Sequence, residues 1–301
     1  MEFGVQSLLS KTPSTPIRLI VNADDFGKSE TVNRAILRAH DEGILTSTSL
    51  MVTGEACTQA VVSAKARPRL SVGLHLVLIC GRGALPPSEI PHLVDPNGNF
   101  SNDPFTAGVK YYFSKAARAE LRREIWAQFE LFAATGLPFA HVDGHLHLHM
   151  HPVAFSYLLE AARHFGVKRI RLPREPLFSN LKIRRSHVGQ KLLHWSVFHL
   201  LSRSALKKMK HDRFLLSDRV YGLLETGRMT EEFWLALLPQ LTDALNEIYC
   251  HPEVAEPGAD PENTGGRQEL AALMSPQIRA LLPKYNIQLE LNEPSLIQQR
   301  H

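Results

Sequence analysis

The chain has 301 residues, 44% of them hydrophobic and 21% charged, a profile that excludes the disordered and fibrous classes. Its formal charge of +4 is too small to argue for a nucleic-acid partner, and none is expected. Three widely spaced cysteines, Cys57, Cys80 and Cys250, imply neither a disulfide framework nor a CxxC metal motif and read as small buried hydrophobes.

In chain order, residues 1–16 read as a loose extension and 17–301 as one domain. The extension lacks the pattern of a signal peptide, and no apolar run approaches the ~20 residues that span a bilayer. A cytoplasmic location is therefore the default. "IRLIV" from Ile17 predicts a buried strand that turns polar at "NADDFG". A helix follows, capped by Ser29 and ended by Gly43. "TSTSLMVT" predicts a strand, "EACTQAVVSAKAR" a helix and "LSVGLHLVL" a third strand. This βαβαβ order predicts parallel strands with crossover helices. The Pro- and Gly-rich stretch 80–105 is long enough to be a lid or substrate loop. Next come a long helix up to Gly136, the strand "FAHVD", the histidine run "HLHLHMH", a helix from Val153 and the strand "KRIRLP". After a basic stretch, "MTEEFWLALLPQL" predicts a helix, "NEIYCHPE" a strand, and "ELAALMSPQIRALLPKYNIQLE" a last helix and strand. The expected fold is α/β: a distorted (β/α) barrel, with parallel strands, helical crossovers and a basic helical insertion at about 182–213.

Chemistry in such folds gathers at the C-terminal ends of the strands. Those ends offer Asp24, Asp25, His75, His145 and His251, the set that a divalent metal and an acid/base pair require. Adjacent carboxylates in a cleft repel unless a metal binds one and leaves the other to accept a proton. Two histidines and one carboxylate leave positions open for water and substrate, as catalytic sites do. Four alternating histidines, His145 to His151, cannot all reach one ion. His147 rivals His145 if the backbone stays extended. Arg171, Arg174 and Glu175 either bind sugar hydroxyls or form a solvated salt-bridge cluster.

"IVNADDFG", "SVGLHLVL", "HVDGHLHLHMHP" and "NEIYCHPE" resemble the YdjC-like carbohydrate deacetylases over residues 17–292. "LVLICGRGALPP", "TAGVKYYF", "QFELFAATGLP" and "LETGRMTEEF" are most similar to the hopanoid-biosynthesis, HpnK-type branch. The resemblance implies removal of the N-acetyl group from an N-acetylglucosamine-type sugar, on a hopanoid glycolipid, by one divalent metal ion, zinc or magnesium. It implies Asp25, His75 and His145 as ligands, Asp24 as general base and His251 as acid. Arg174 is expected at the substrate, and His147 and His149 near the cleft, at the substrate or just behind the ligands. Gly144 departs from the Ser common in relatives, and since glycine tolerates a tight turn no loss of metal binding is expected. Soluble chitooligosaccharide substrates, a phosphoesterase and a non-catalytic glycolipid-binding protein are the alternatives.

Segment 182–213 holds nine Lys/Arg against Asp212 alone, with Val188, Leu192, Trp195, Phe198 and Leu201 at helical spacing. Its three readings are a surface helix pair, a contact with anionic lipid and a contact with nucleic acid. An oligomer is compatible with the sequence.

Overall fold

The computed structural model describes residues 15–242, 244–255 and 264–291. The expected N-terminal extension lies outside them except for its last two residues. The first half alternates β1 (Ile17–Phe26), α1 (Glu30–Asp41), β2 (Ser47–Leu50), α2 (Cys57–Lys65) and β3 (Ser71–Leu76). Then come α3 (Pro104–Phe113), α4 (Lys115–Ala134), β4 (Val142–Gly144), α5 (Pro152–His164), α6 (Leu177–Ile183) and α7 (Val188–Lys208). The chain continues with β5 (Arg219–Tyr221), α8 (Glu231–Leu237), β6 (Leu245–Cys250), α9 (Gly265–Leu273), α10 (Pro276–Lys284) and β7 (Ile287–Leu289).

Every ladder is parallel, in the order β4-β3-β2-β1-β6-β5, with β7 on the first residues of β1. The sheet curls into a half-barrel, and helical crossovers cover its outer face. Opposite it the wall is irregular. The expected strand 168–173 contributes only single bridges, Val142 with Ile170 and Arg169 with Leu215. Pro173 and Pro176 have no N–H to extend that ladder.

Local chemistry explains the boundaries. Ser29 Oγ accepts the Val32 N–H to start α1, and Ser114 does the same for Ala117 in α4. The expected single C-terminal helix is two, because Ser275 caps a new start with Pro276 in its first turn. The 80–103 stretch is a packed loop. Ile90, Leu93 and Phe100 are buried in it, and Glu124 accepts the backbone N–H of Ala84 and Leu85.

The basic insertion comprises the end of α6, all of α7 and the following turn. Trp195, Phe198 and Leu201 lean on the barrel, whereas Val188 and Leu192 stay exposed. Lys191 is buried. Its Nζ donates to Asn180 Oδ1 and to the Arg184 carbonyl, both at 2.8 Å, and pairs with Glu225. Arg184 pairs with the same carboxylate at 3.0 Å. An ammonium out of water needs such partners, so this basic residue pins α7 to the barrel.

Candidate metal and catalytic site

Side chains two apart on a strand share a face. The barrel's inner faces carry Asn22 and Asp24 on β1, Ser49 on β2, His75 on β3, Asp143 on β4 and Glu247 on β6. With Arg171, which joins Glu247 to the rest, they form one hydrogen-bonded network. Asn22 Nδ2 donates to Asp24 and to Ser49 Oγ (2.8 and 2.9 Å), and Ser49 Oγ donates to Asp143 at 2.7 Å.

Asp24 and Asp25 are neighbours, so a regular strand would aim them at opposite faces. The pairing with β2 runs Ala23↔Thr48 and then Phe26↔Leu50, three residues against two. The bulge falls on the aspartates, and Asp25 adopts φ 69°. Bulges re-aim side chains, and aspartate tolerates the left-handed region better than most residues. Both carboxylates therefore face the site with different partners.

Asp25 Oδ1 lies 2.9 Å from His145 Nδ1 and 3.3 Å from His75 Nε2. Lys28 Nζ donates to its other oxygen at 3.0 Å. Burial alone would raise the Asp25 pKa, but the His145 and His75 imidazoles beside it hold it well below the usual carboxylate range. His75 Nδ1 donates to Asp143 at 2.7 Å, which turns Nε2 toward Asp25. That Nε2 is buried and has no hydrogen-bond partner. A histidine oriented by a carboxylate behind it is the usual arrangement at a metal. Ligand atoms of Asp25, His75 and His145 all lie within 4.8 Å of one another. Two imidazoles, one carboxylate and an orphaned ring nitrogen fit a divalent ion of the zinc type, though harder ions accept the set too. A second buried group, Asp24, His75 and Asp143, meets the same spacing. There His75 uses the nitrogen already bonded to Asp143, or competes with Asp25, so the first group is the better cradle.

Asp24 is clamped by Arg171, whose Nη1 donates to both carboxylate oxygens at 2.9 and 2.8 Å. The same guanidinium contacts Asp143 at 2.7 Å and Glu247 at 2.6 Å, and its Cζ lies 4.8 Å from the Tyr249 ring centroid. His251 Nε2 is 3.9 Å from Asp24 Oδ2, and its side chain is 30% exposed.

The histidine run is not extended. Leu146 and His147 take φ 49° and 55°, so the chain coils after β4 and separates its rings. His145 alone meets Asp25. His147 Nε2 bonds Tyr249 Oη at 2.7 Å and lines the cavity. His149 is a correction: it is fully buried, with Nε2 donating to the Arg171 carbonyl at 3.0 Å, and presents no face to substrate. His141 is buried against Ser49, and His151 lies beside Tyr111 and Tyr112. At Gly144 the backbone is extended, φ −172°, so turn geometry is not what favours glycine. A Cβ there would meet His149 Cβ at 2.9 Å.

Asp24, His147, Tyr249 and His251 open on a cavity of about 500 Å³, walled also by Leu146 and Phe198. Arg174, expected at the substrate, lines a different cavity with Trp195. Arg171 is no sugar ligand, because it is buried among carboxylates. Glu175 is likewise internal, accepting from Asn180 and from the Gly222 and Leu224 N–H groups. Asp143, behind His75, escaped the sequence reading as a site member, and Arg171 entered it as a sugar ligand or a solvated ion pair, not as the group behind Asp24. The available signals were the "DGH" spacing and an arginine inside an apolar strand.

A family model described as YdjC-like protein matches residues 18–284. A carbohydrate deacetylase of Geobacillus stearothermophilus is 32% identical over 91% of this chain and 96% of its own. One from Brevibacillus brevis is 42% identical, but the match covers 50% of this chain and 58% of that protein. In fold, the chain matches a crystal structure of a proposed cellobiose-phosphate cleavage protein from Enterococcus faecalis V583. The TM-score is 0.70 at 23% identity, over 92% of this chain and 98% of that one. The half-barrel, the clustered Asp25, His75 and His145, and a family match along nearly the whole described chain agree: this chain belongs to the YdjC-like family.

Proposed function

We propose that the protein is a metal-dependent carbohydrate N-deacetylase. It hydrolyses the acetamide of an N-acetylglucosamine-type sugar, using one divalent ion, zinc or magnesium, at Asp25, His75 and His145. One observation carries this reading: an orphaned, carboxylate-oriented His75 Nε2 faces Asp25 beside a second carboxylate, Asp24, that opens on a cavity. The names of the curated relatives support the reaction class.

A bound ion supplies Lewis acidity toward the acetyl carbonyl and makes water more acidic. Asp24 accepts the proton of the attacking water, and Arg171 fixes its direction by engaging both oxygens. His251, on the open side of Asp24, donates a proton to the leaving amine, which departs poorly without it. His147, held by Tyr249, borders the sugar.

The cavity is of small-molecule size. Apolar walls at Leu146, Phe198, Leu223 and Leu224 favour a glycolipid over a free oligosaccharide. By the HpnK-type resemblance, the substrate is an N-acetylglucosaminyl hopanoid and the product its glucosaminyl form. Among the described residues no helix is long and apolar enough to cross a membrane. The enzyme then acts from the cytoplasm, peripherally, with 182–213 against the inner face.

The test is acetate release from an N-acetylglucosaminyl lipid and from soluble chitooligosaccharides, before and after chelation. Release lost on chelation and restored by added ion supports the reading. Undiminished release by metal-free protein sinks it, and preference for the soluble sugar assigns that substrate instead.

A further inference from the structure

A second cavity, of about 340 Å³, lies between α6, α7 and the 173–177 turn. It shares only Leu223 with the catalytic cavity. Leu177, Leu223 and Leu224, backed by Trp195 and Phe198, form the partition. None of the groups given a catalytic role faces it.

Its wall is of two kinds. One side is apolar: Leu177, Leu206, Phe178 and the Trp195 indole, which stacks on His199 at 4.8 Å. The other carries three guanidiniums, Arg174, Arg203 and Arg219. Neither Arg174 nor Arg203 has a hydrogen bond or ion pair among the described residues. Arg171, Arg184 and Arg228, by contrast, are all paired with carboxylates. Unpaired guanidiniums lining one cavity suit an oxyanion, which they bind with charge-assisted, often bidentate hydrogen bonds. Ser202 gives an independent sign. It lines the cavity, is 3% exposed, and its Oγ is buried without a partner. Native structures rarely leave such a group unsatisfied without a ligand or water to meet it. Glu175 is the carboxylate on the wall. It is engaged by two backbone N–H groups and Asn180, and burial pushes its pKa up to about 7, which weakens its repulsion of an anion.

The rim points to what carries the anion. Phe178 is 79% exposed at the mouth, and Leu193 and Leu200 stand 63% and 67% exposed on the outward side of α7. Lys207, Lys208 and Lys210 follow at the end of the helix. A second copy of the chain would bring this cationic face against itself, and a bare anion would leave the apolar half without use. We propose that this cavity binds the phosphate headgroup of an anionic phospholipid. Arg174 and Arg203 contact the phosphate, and the acyl chains run past Phe178 and Leu206 toward the apolar strip of α7. This deepens the membrane-contact part of the proposed function and is independent of the deacetylase chemistry.

Trp195 supplies the readout. Dihexanoyl phosphatidylglycerol, titrated below its micelle concentration, is expected to change Trp195 fluorescence saturably, and Trp195→Phe removes the change. Arg174→Gln/Arg203→Gln is expected to weaken the response about tenfold or more. The charge-matched Lys207→Gln/Lys210→Gln stays within about twofold, because those charges lie outside the cavity. Equal losses in the two double variants overturn the site in favour of diffuse attraction. Inorganic phosphate saturating the signal at the same concentration overturns the lipid source. Sedimentation with phosphatidylglycerol vesicles, against pure phosphatidylcholine, tests the wider contact. Vesicle binding unaffected by Arg174→Gln/Arg203→Gln overturns the cavity and keeps the contact. A response to the short-chain lipid without vesicle binding keeps the cavity and overturns the contact.

Discussion

Arg171 Nη1 donates to both oxygens of Asp24, at 2.9 and 2.8 Å, from a fully buried position. Lysine in its place keeps a charge but not the planar fork. Arg171→Lys is expected to lower kcat about a hundredfold with little change in KM, since geometry at the base is lost and sugar contacts are not. Arg171→Met also leaves Asp24, Asp143 and Glu247 without a shared counter-charge, at a cost of about 3–5 kcal/mol in urea unfolding. Wild-type kcat in Arg171→Lys refutes the positioning role.

The coiled histidine run separates His145, the proposed ligand, from its neighbours. Asp25→Ala and His145→Ala are each expected to lose bound metal and all turnover. His147→Ala is expected to retain the metal, because that ring bonds Tyr249. Elemental analysis of the purified variants decides, and a metal-free His147→Ala with metal-loaded His145→Ala reverses the assignment.

His251→Gln is expected to keep the metal and lose about 10²–10⁴ in kcat, the range for removing a general acid. The loss should shrink for substrates with a better leaving group. An undiminished rate on the N-acetyl sugar moves the acid to another residue.

His149 predicts a pH effect on stability. Burial depresses its pKa from 6.5 to about 4, and the neutral ring donates to the Arg171 carbonyl. Below pH 6.5 the unfolded chain takes up a proton that the folded ring refuses. The contribution is therefore complete above 6.5 and is lost as pH falls toward 4, on the order of 3 kcal/mol in all. His149→Gln, which can still donate to the carbonyl, should flatten that part of the curve. An unchanged acid slope in urea denaturation counts against it.

Gly144 and His149 are coupled by contact. A Cβ at 144 would stand 2.9 Å from His149 Cβ and 3.1 Å from the Leu76 carbonyl. Gly144→Ala is expected to cost about 1–3 kcal/mol by overpacking. In a His149→Gly background, which removes the Cβ that would be met, the cost should fall, a non-additivity that a double-mutant cycle measures.

The parallel fold was legible because it rests on local patterns, apolar runs ending in polar strand ends. The rule about strand C-termini offered Asp24, Asp25, His75, His145 and His251 alike, and picking out Asp25, His75 and His145 needed the family resemblance. Arg171 was misjudged because "KRIRLP" looks surface-like when the carboxylates that neutralise it lie on β1, β4 and β6. His149 was misjudged because its environment depends on two left-handed residues that no periodicity announces. The position of α7 depends on Lys191, which reads as one more exposed lysine until Glu225 is seen behind it.

The bulge at Ala23–Phe26 makes the proposed division of labour between the aspartates a matter of counting. Deleting one residue there would preserve a carboxylate while restoring strict alternation, leaving a single acidic group to serve as both metal anchor and proton acceptor. Inserting one would rotate the pair away from its partners with every side chain still present. The strand's tolerance to length change is therefore expected to be far lower than its tolerance to substitution.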